Sequence, residues 1–292
     1  MEFPKQADRN KKLVEWVMFA IARGLSYGIV LILLLILLFI ARQGISVINW
    51  RFLTEAPTDG MTGGGIFPAI VGTVLLVTGS MLAAVPAGIL AGIYVQEYAK
   101  AGPVKRFIKL MTNNLAGIPS IIFGLFGMAL FVNQLGFGAS ILAGSLTLGL
   151  LALPVVIRTT EESLKAVPDT FRHASLGLGA SKWYTIRKVV LPSALPNILT
   201  GVILSIGRVS GETAPILFTV AAYFLPRLPS SLFDQCMALP YHLYVISTSG
   251  TQIEASRPIA YGTALVLILI VLAANLSATA LRNYFGKKVK TN

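Results

Sequence analysis

Arg208 and Glu212 stand four residues apart in the run GRVSGETAP, residues 207–215, and are the only charges between residues 196 and 224. On a helix that spacing puts both on one face, with the arginine on the N-terminal side. Charges are costly in lipid and normally face a bundle interior or a water-filled path. Two chemistries suit the pair. It can neutralise itself and lock helix packing, or Arg208 can offer parallel N–H donors to a tetrahedral oxyanion while Glu212 holds the guanidinium in place. Gly207 and Gly211, also four apart, permit close approach of another helix, and Pro215 leaves a backbone carbonyl without its usual donor.

The second chemically informative stretch is residues 168–192, PDTFRHASLGLGASKWYTIRKVVLP, which is polar and basic between long apolar runs. Its pattern is helix, glycine turn, helix, closed by Leu191-Pro192. Asp169 or Thr170 can cap the first turn, Gly179 can take the left-handed geometry that ends it, and Ser181 can cap the next. An ordinary linker is one reading. A short helix that docks on a soluble partner is the other, and a connection this long without a role is uncommon. Nothing in the chain matches the phosphate-binding loop G-x-x-x-x-G-K-S/T, so nucleotide chemistry would belong to a partner. One cysteine, Cys236, and two histidines, His173 and His242, make no metal site of the usual kind, and no internal disulfide is possible. Without paired carboxylates or an activated nucleophile in the apolar segments, no enzyme and no cofactor is expected.

The elements that must position these residues are membrane spans. Of 292 residues, 55% are hydrophobic and 12% charged, against about 25% charged in soluble domains. Residues 24–41 form an uncharged run of about 27 Å as a helix, close to the roughly 30 Å of hydrocarbon. Residues 66–96 make the second span, after a loop with a glycine cluster at residues 60–65. Residues 110–157 carry no charge; as one helix they would be about 72 Å long, so they must hold two spans. The turn between them falls near Asn133 to Gly138. Span five is expected over residues 196–224 and span six over 258–281. The polar residues 1–12 lead into an apolar run too long for a signal peptide.

An even number of spans puts both termini on one side. Nineteen of the 24 lysines and arginines fall before span one, after span two, around residues 158–188 or at the C-terminal end; four fall on the opposite side and Arg208 lies within a span. The positive-inside rule makes the first set cytoplasmic. The net charge of +12 therefore reads as topology and attraction to anionic membrane lipid, and no nucleic acid partner is expected. The organisation is a cytoplasmic N-terminal segment, 1–23, a transmembrane domain, 24–281, with a cytoplasmic loop at 159–195, and a basic tail, 282–292.

His173-Ala174-Ser175, then Gly179, then Val189-x-Leu191-Pro192, resembles the EAA loop of the permease subunits of binding-protein-dependent ABC importers: EAA, three residues, G, nine residues, I-x-L-P. Where that family carries a glutamate this chain has His173, which as a neutral imidazole cannot pair with a basic group as a carboxylate would; Ser175 replaces the second alanine. Residues 208–215, with Gly117-Ile118-Pro119-Ser120 and Ser256-Arg257-Pro258, are similar to the A-type permease of the phosphate ABC importer. The resemblance implies an all-α polytopic transmembrane bundle of about six spans with the type I ABC importer permease fold, in the bacterial inner membrane. It implies as partners a homologous C-type permease, two copies of an ATP-binding subunit and an extracytoplasmic phosphate-binding protein. It further implies that His173, Ala174, Ser175, Gly179, Leu191 and Pro192 belong to an ATPase-coupling loop, and that Arg208 and Glu212 are the charged pair of the translocation path. A permease for sulfate or molybdate, or an ATP-independent channel or secondary transporter, are the alternatives.

Overall fold

The computed structural model describes residues 5–249 and 253–291. Residues 1–4 of the expected N-terminal segment and residue 292 of the expected tail lie outside that range. Helix α1, Lys5–Gly44, is followed by the short α2, Trp50–Thr54, and a two-strand hairpin, β1 Pro57–Thr58 paired antiparallel with β2 Gly63–Gly64. Then come α3, Phe67–Ile93, α4, Pro103–Gly117, and α5, Ser120–Gly127, which continues in wider π-type turns over Met128–Gln134. Helix α6, Ile141–Lys165, leads to α7, Asp169–Gly177, α8, Lys182–Thr185, and α9, Leu191–Ser210. The chain ends with α10, Ala214–Thr219, α11, Leu239–Thr248, and α12, Ile253–Thr291. Among the described residues, five helices are long and apolar enough to cross a membrane, and there are up to six if the bent pair Pro103–Gly117 and Ser120–Gln134 counts as one span. The six-span all-α reading therefore holds.

The boundaries differ in five places. No break separates the expected N-terminal segment from span one, because α1 is continuous from Lys5 to Gly44, and the basic tail likewise continues α12. Span three does not begin at residue 110. The chain turns by 104° between Pro103–Gly117 and Ser120–Gln134, since the residue before a proline is pushed out of the helical region and Ile118 is extended ahead of Pro119. Span five does not reach residue 224. Helix α9 stops at Ser210, one residue before Gly211, whose carbonyl the ring of Pro215 would meet in a continued helix, and Pro215 instead sits in the first turn of α10. Finally, α11 stands where only a polar segment was expected. It buries Leu239, Pro240, His242, Val245 and Ile246.

The expected turn at residues 133–138 is present, with Gly136 and Gly138 at φ of 69° and 66°. Beyond it, the N-terminus of α6 meets three carbonyls. Ser140 N–H donates to Thr219 at 2.9 Å, Ile141 N–H to Asp234 at 2.9 Å and Leu142 N–H to Leu232 at 2.9 Å, while the Ser140 hydroxyl accepts from Ala143 N–H. These are donors a helix leaves free at its start. The loop supplying the carbonyls is itself fastened by Asp234, whose carboxylate accepts from the backbone N–H and hydroxyl of Ser230 and from Ser231 N–H. Those bonds hold its carboxyl below the usual carboxylate range. Similarly, Leu239 N–H at the start of α11 donates to the buried Thr73 hydroxyl on α3 at 2.8 Å.

Helices α3 and α6 form the central seam, and glycine is what brings them together. A Cβ at Gly88 would lie 2.7 Å from Val156, one at Gly92 would lie 2.6 Å from Thr160, and one at Gly149 would lie 3.3 Å from the Ser80 carbonyl. Close backbone approach of this kind is the way membrane helices pack without a hydrophobic driving force. Helix α1, by contrast, leans on α12, where the rings of Phe39 and Tyr261 meet edge-on at 5.6 Å.

Gly88→Leu is expected to overpack the seam at a cost of about 1–3 kcal/mol and to lower the thermal midpoint and the yield of folded protein in detergent. Gly28→Leu on α1, where an added Cβ meets nothing within 4 Å, is expected to leave both unchanged. Equal behaviour of the two variants would contradict this account of the seam.

Candidate functional site

Two groups of residues stand out. The first is the loop between α6 and α9. Its first helix, α7, ends as the glycine predicts: Leu178 N–H donates to Ala174, Gly179 N–H to Leu176 and Ala180 N–H to Ser175, with Gly179 at φ 82°. Neither Asp169 nor Thr170 caps the start; Pro168 occupies the cap position without a side-chain bond. Ser181 does cap α8, accepting from Tyr184 N–H at 3.3 Å. Leu191-Pro192 does not close the loop. From Lys182 the helix runs through π-type turns at Ile186–Val190 directly into α9, a single apolar span over Lys182–Ser210. Pro192 is tolerated because it falls where the π turns give way to α9 and need not accept an α-type bond pattern.

Arg172 is the fastening of this loop, and sequence reasoning had treated it only as a topological charge. One guanidinium nitrogen donates to Glu97 at 2.8 Å and to the Leu164 carbonyl at 2.8 Å; the other donates to the Val167 carbonyl at 2.7 Å and to Asp169 at 3.0 Å. Glu97 lies just past the end of α3, and its side chain is 8% exposed against 15% for Arg172. Glu97 is thus a buried partner of Arg172. Lys182 adds a cation-π contact 4.8 Å from the Tyr98 ring, and Ser175 and Thr185 share a hydroxyl bond of 2.9 Å. Beneath lie Ile93, Leu164, Val167, Ile186, Val190, Ala194 and Ile198. The loop therefore belongs mechanically to α3, α6 and α9 together. The clue available beforehand was only that two opposite charges, 75 residues apart, both sat at a membrane boundary.

Its outer face is apolar and open. Phe171, Ala174, Leu178, Gly179 and Tyr184 line a groove of about 670 Å³, and Leu178 is 89% exposed. His173 and Ala174 are exposed and Ser175 is half-buried.

The second group is Arg208 and Glu212. They do not sit within a continuous span: Arg208 is in the last turn of α9 and Glu212 lies beyond the helix end. The fourfold spacing still brings them together, Nε to Oε1 at 3.6 Å. That is an ion pair too long to be a hydrogen bond. The Arg208 side chain remains 38% exposed against 17% for Glu212, so its N–H donors are open. Counting 1.5 Å per residue, Arg208 is about 30 Å along the helix from Lys188, near the opposite end of the span. The break also gathers one of the motifs noted in the sequence. Helix α5, which Pro119 and Ser120 open, packs its Gly124 against Pro215 and Ala214. Arg257 is not brought here; it pairs with Glu254 at 2.9 Å, while Asn275, far along the same helix, faces Gly207.

Glu97→Gln removes the charge opposite Arg172 and, at about 2 kcal/mol for a hydrogen bond to a charged group, is expected to speed hydrogen exchange of the α7 amides roughly 30-fold. Exchange unchanged from the parent would show that the pair does not hold the loop.

Comparison with known proteins places this architecture. The family described as binding-protein-dependent transport system inner membrane component matches residues 84–291. The chain is 36% identical to the probable ABC transporter permease protein YqgI of Bacillus subtilis (strain 168), over 87% of this chain and 90% of that one. It is 42% identical to the phosphate transport system permease protein PstA of Mycobacterium leprae, over 75% and 71% of the two chains. With PstA of Pasteurella multocida the identity is 34% over 97% and 96%. Among solved structures, a chain of a bacterial ABC transporter that imports the acidic polysaccharide alginate superposes with TM-score 0.64 at 13% identity, covering 96% of this chain and 99% of that one. A chain of the inward-facing MetNI methionine ABC transporter gives 0.58 at 18% identity, covering 76% and 94%; at such identities these two speak to fold alone. The spans, the loop that follows α6 and the sequence relatives agree, and the chain belongs to the inner membrane components of binding-protein-dependent transport systems, the permease subunits of ABC importers.

Proposed function

We propose that this chain is one permease half of an ATP-driven importer of inorganic phosphate in the bacterial inner membrane, with both termini and the α7 loop in the cytoplasm. The observation that carries the coupling role is the exposed apolar groove on a loop that Arg172 and Glu97 fasten to the end of α3. A partner ATPase seats on that groove, with His173, Ala174, Ser175 and Gly179 at or beside the contact. Leu191 and Pro192 carry the displacement into α9. Closure of two ATPase copies on ATP pushes α7, and the Arg172 fastening passes the push to α3 and α6 as well as α9. A homologous C-type permease completes the path, and a phosphate-binding protein outside delivers the ion.

Phosphate is supported as cargo by the relatives that bear the name of phosphate transport permeases and by the open donors of Arg208. The long Arg208 to Glu212 contact favours a pathway role over a packing lock. A lock would close into a full hydrogen-bonded pair, whereas a positioned, half-exposed fork has N–H groups to spare for two phosphate oxygens. Glu212 keeps the fork oriented and its charge limits how tightly the anion is held, so that phosphate leaves again.

The test uses the assembled complex in vesicles loaded with ATP. Arg208→Ala is expected to lower radiolabelled phosphate uptake roughly tenfold to a hundredfold, the worth of a charge-assisted hydrogen bond of about 1.5–3 kcal/mol, with complex yield unchanged. Uptake that persists with both Arg208 and Glu212 replaced would reduce the pair to packing, and competition by excess sulfate or molybdate would move the substrate assignment. Leu178→Asp, placing a charge in the groove, is expected to release the ATPase on purification while the permease stays folded. Retention of the ATPase would remove the coupling role from this face.

A further inference from the structure

Helix α4, Pro103–Gly117, has a role in neither group. It is 15 residues long, turned 104° from the helix that follows, and meets α6 at that helix's charged end, beside Arg158, Glu161 and Lys165. Four of its apolar residues form a stripe, while Ile108 turns to α6 and Leu110, 49% exposed, flanks the stripe on the other side. Val104, Phe107, Met111 and Leu115, at spacings of three and four, are 63%, 62%, 37% and 40% exposed. At right angles to the stripe, Ile108, Lys109 and Thr112 face α6, where they close a pocket with Ile157, Arg158 and Glu161. Lys109 forms an ion pair with Glu161. Opposite the stripe lie Arg106 and Asn113, both exposed, and Asn113 also borders the pocket against α6. The helix carries Lys105, Arg106 and Lys109 and no acidic residue.

We propose that α4 is an interfacial helix that binds anionic phospholipid of the cytoplasmic leaflet, with the stripe in the acyl chains and Lys105 and Arg106 on the headgroup phosphates. Three observations select lipid as the occupant. The helix turns 104° away from α5 at the level where α3 ends and α6 exposes its charges. The stripe and the basic edge divide the helix as a membrane surface divides apolar chains from phosphates. The charge on the helix is of one sign, opposite to that of the leaflet. Because α4 joins α5 through the bend at residues 118–119, the leaflet then fixes one arm of the hinge from which the third span hangs. The cytoplasmic placement rests on the orientation proposed above; the lipid contact itself does not.

The experiment uses the assembled complex in nanodiscs, with Cys236→Ser removing the one native thiol and single cysteines placed at Phe107, Met111 or Asn113 to carry a fluorophore. With brominated acyl chains, quenching is expected to be several-fold stronger at positions 107 and 111 than at 113. It should rise at 107 when phosphatidylglycerol is added to phosphatidylcholine, and Lys105→Gln with Arg106→Gln should abolish that rise. Equal quenching at the three positions, or cross-linking of position 107 to the partner permease in place of quenching, would overturn the lipid contact. Quenching indifferent to phosphatidylglycerol would overturn the headgroup assignment. Labelling of Asn113→Cys in sealed vesicles by an impermeant thiol reagent reports sidedness separately, so a wrong orientation and a wrong ligand are told apart.

Discussion

In lipid, no backbone N–H or C=O can be left to water, and at two helix starts here another element supplies the missing partner. The start of α6 takes carbonyls from Thr219, Leu232 and Asp234, and the start of α11 takes the hydroxyl of Thr73. Those bonds determine the half of the molecule that holds the α6 and α11 starts. They require the segment between α10 and α11 to fold down against α6, and they let α9 end early, exposing Arg208 at a helix terminus where an unbroken span would have hidden it. Pro215 forces the break; the stitched loop makes it affordable.

The half that carries α7 follows a different rule. A water-facing loop has no shortage of hydrogen-bond partners, so its position must be fixed by charge. Arg172 does this by reaching three backbone or side-chain acceptors near its own helix and one, Glu97, on another span. A guanidinium suits the task because its donors are held in a planar fork and can serve several acceptors at once. An ammonium in its place would have to choose. The loop is consequently held to the ends of α3 and α6 while its apolar groove remains turned outward.

Much of this was legible in the chain. Uncharged runs marked the spans, the asymmetric distribution of lysine and arginine divided the two sides, and Gly136, Gly138 and Gly179 marked turns that take up positive φ as expected. What stayed hidden has physical causes. The uncharged stretch from residue 110 onward concealed that residues 110–117 continue the amphipathic helix begun at Pro103, because a charge-free run does not reveal a bend. Pro215 acts four residues upstream of itself, so the end of α9 at Ser210 was placed too late. Helix α11, ten residues long, was too short to show as a span and lacked the pattern of a surface helix. The Arg172 to Glu97 bond joins residues that only the folded bundle brings together. Arg208 and Glu212 were found as a pair, but their place at a broken helix end was not.

The glycine seam between α3 and α6 has a mechanical corollary. With Val156 and Thr160 set where side chains of the opposite helix would stand, there is no slack through which one helix could slide past the other without backbone meeting methyl groups. The two therefore behave as a stiff keel. Shape change is cheaper at residues 118–119 and 211–213, where helical hydrogen bonding is already interrupted, and the helices α5 and α10 that meet between those joints are the freest to tilt as a pair.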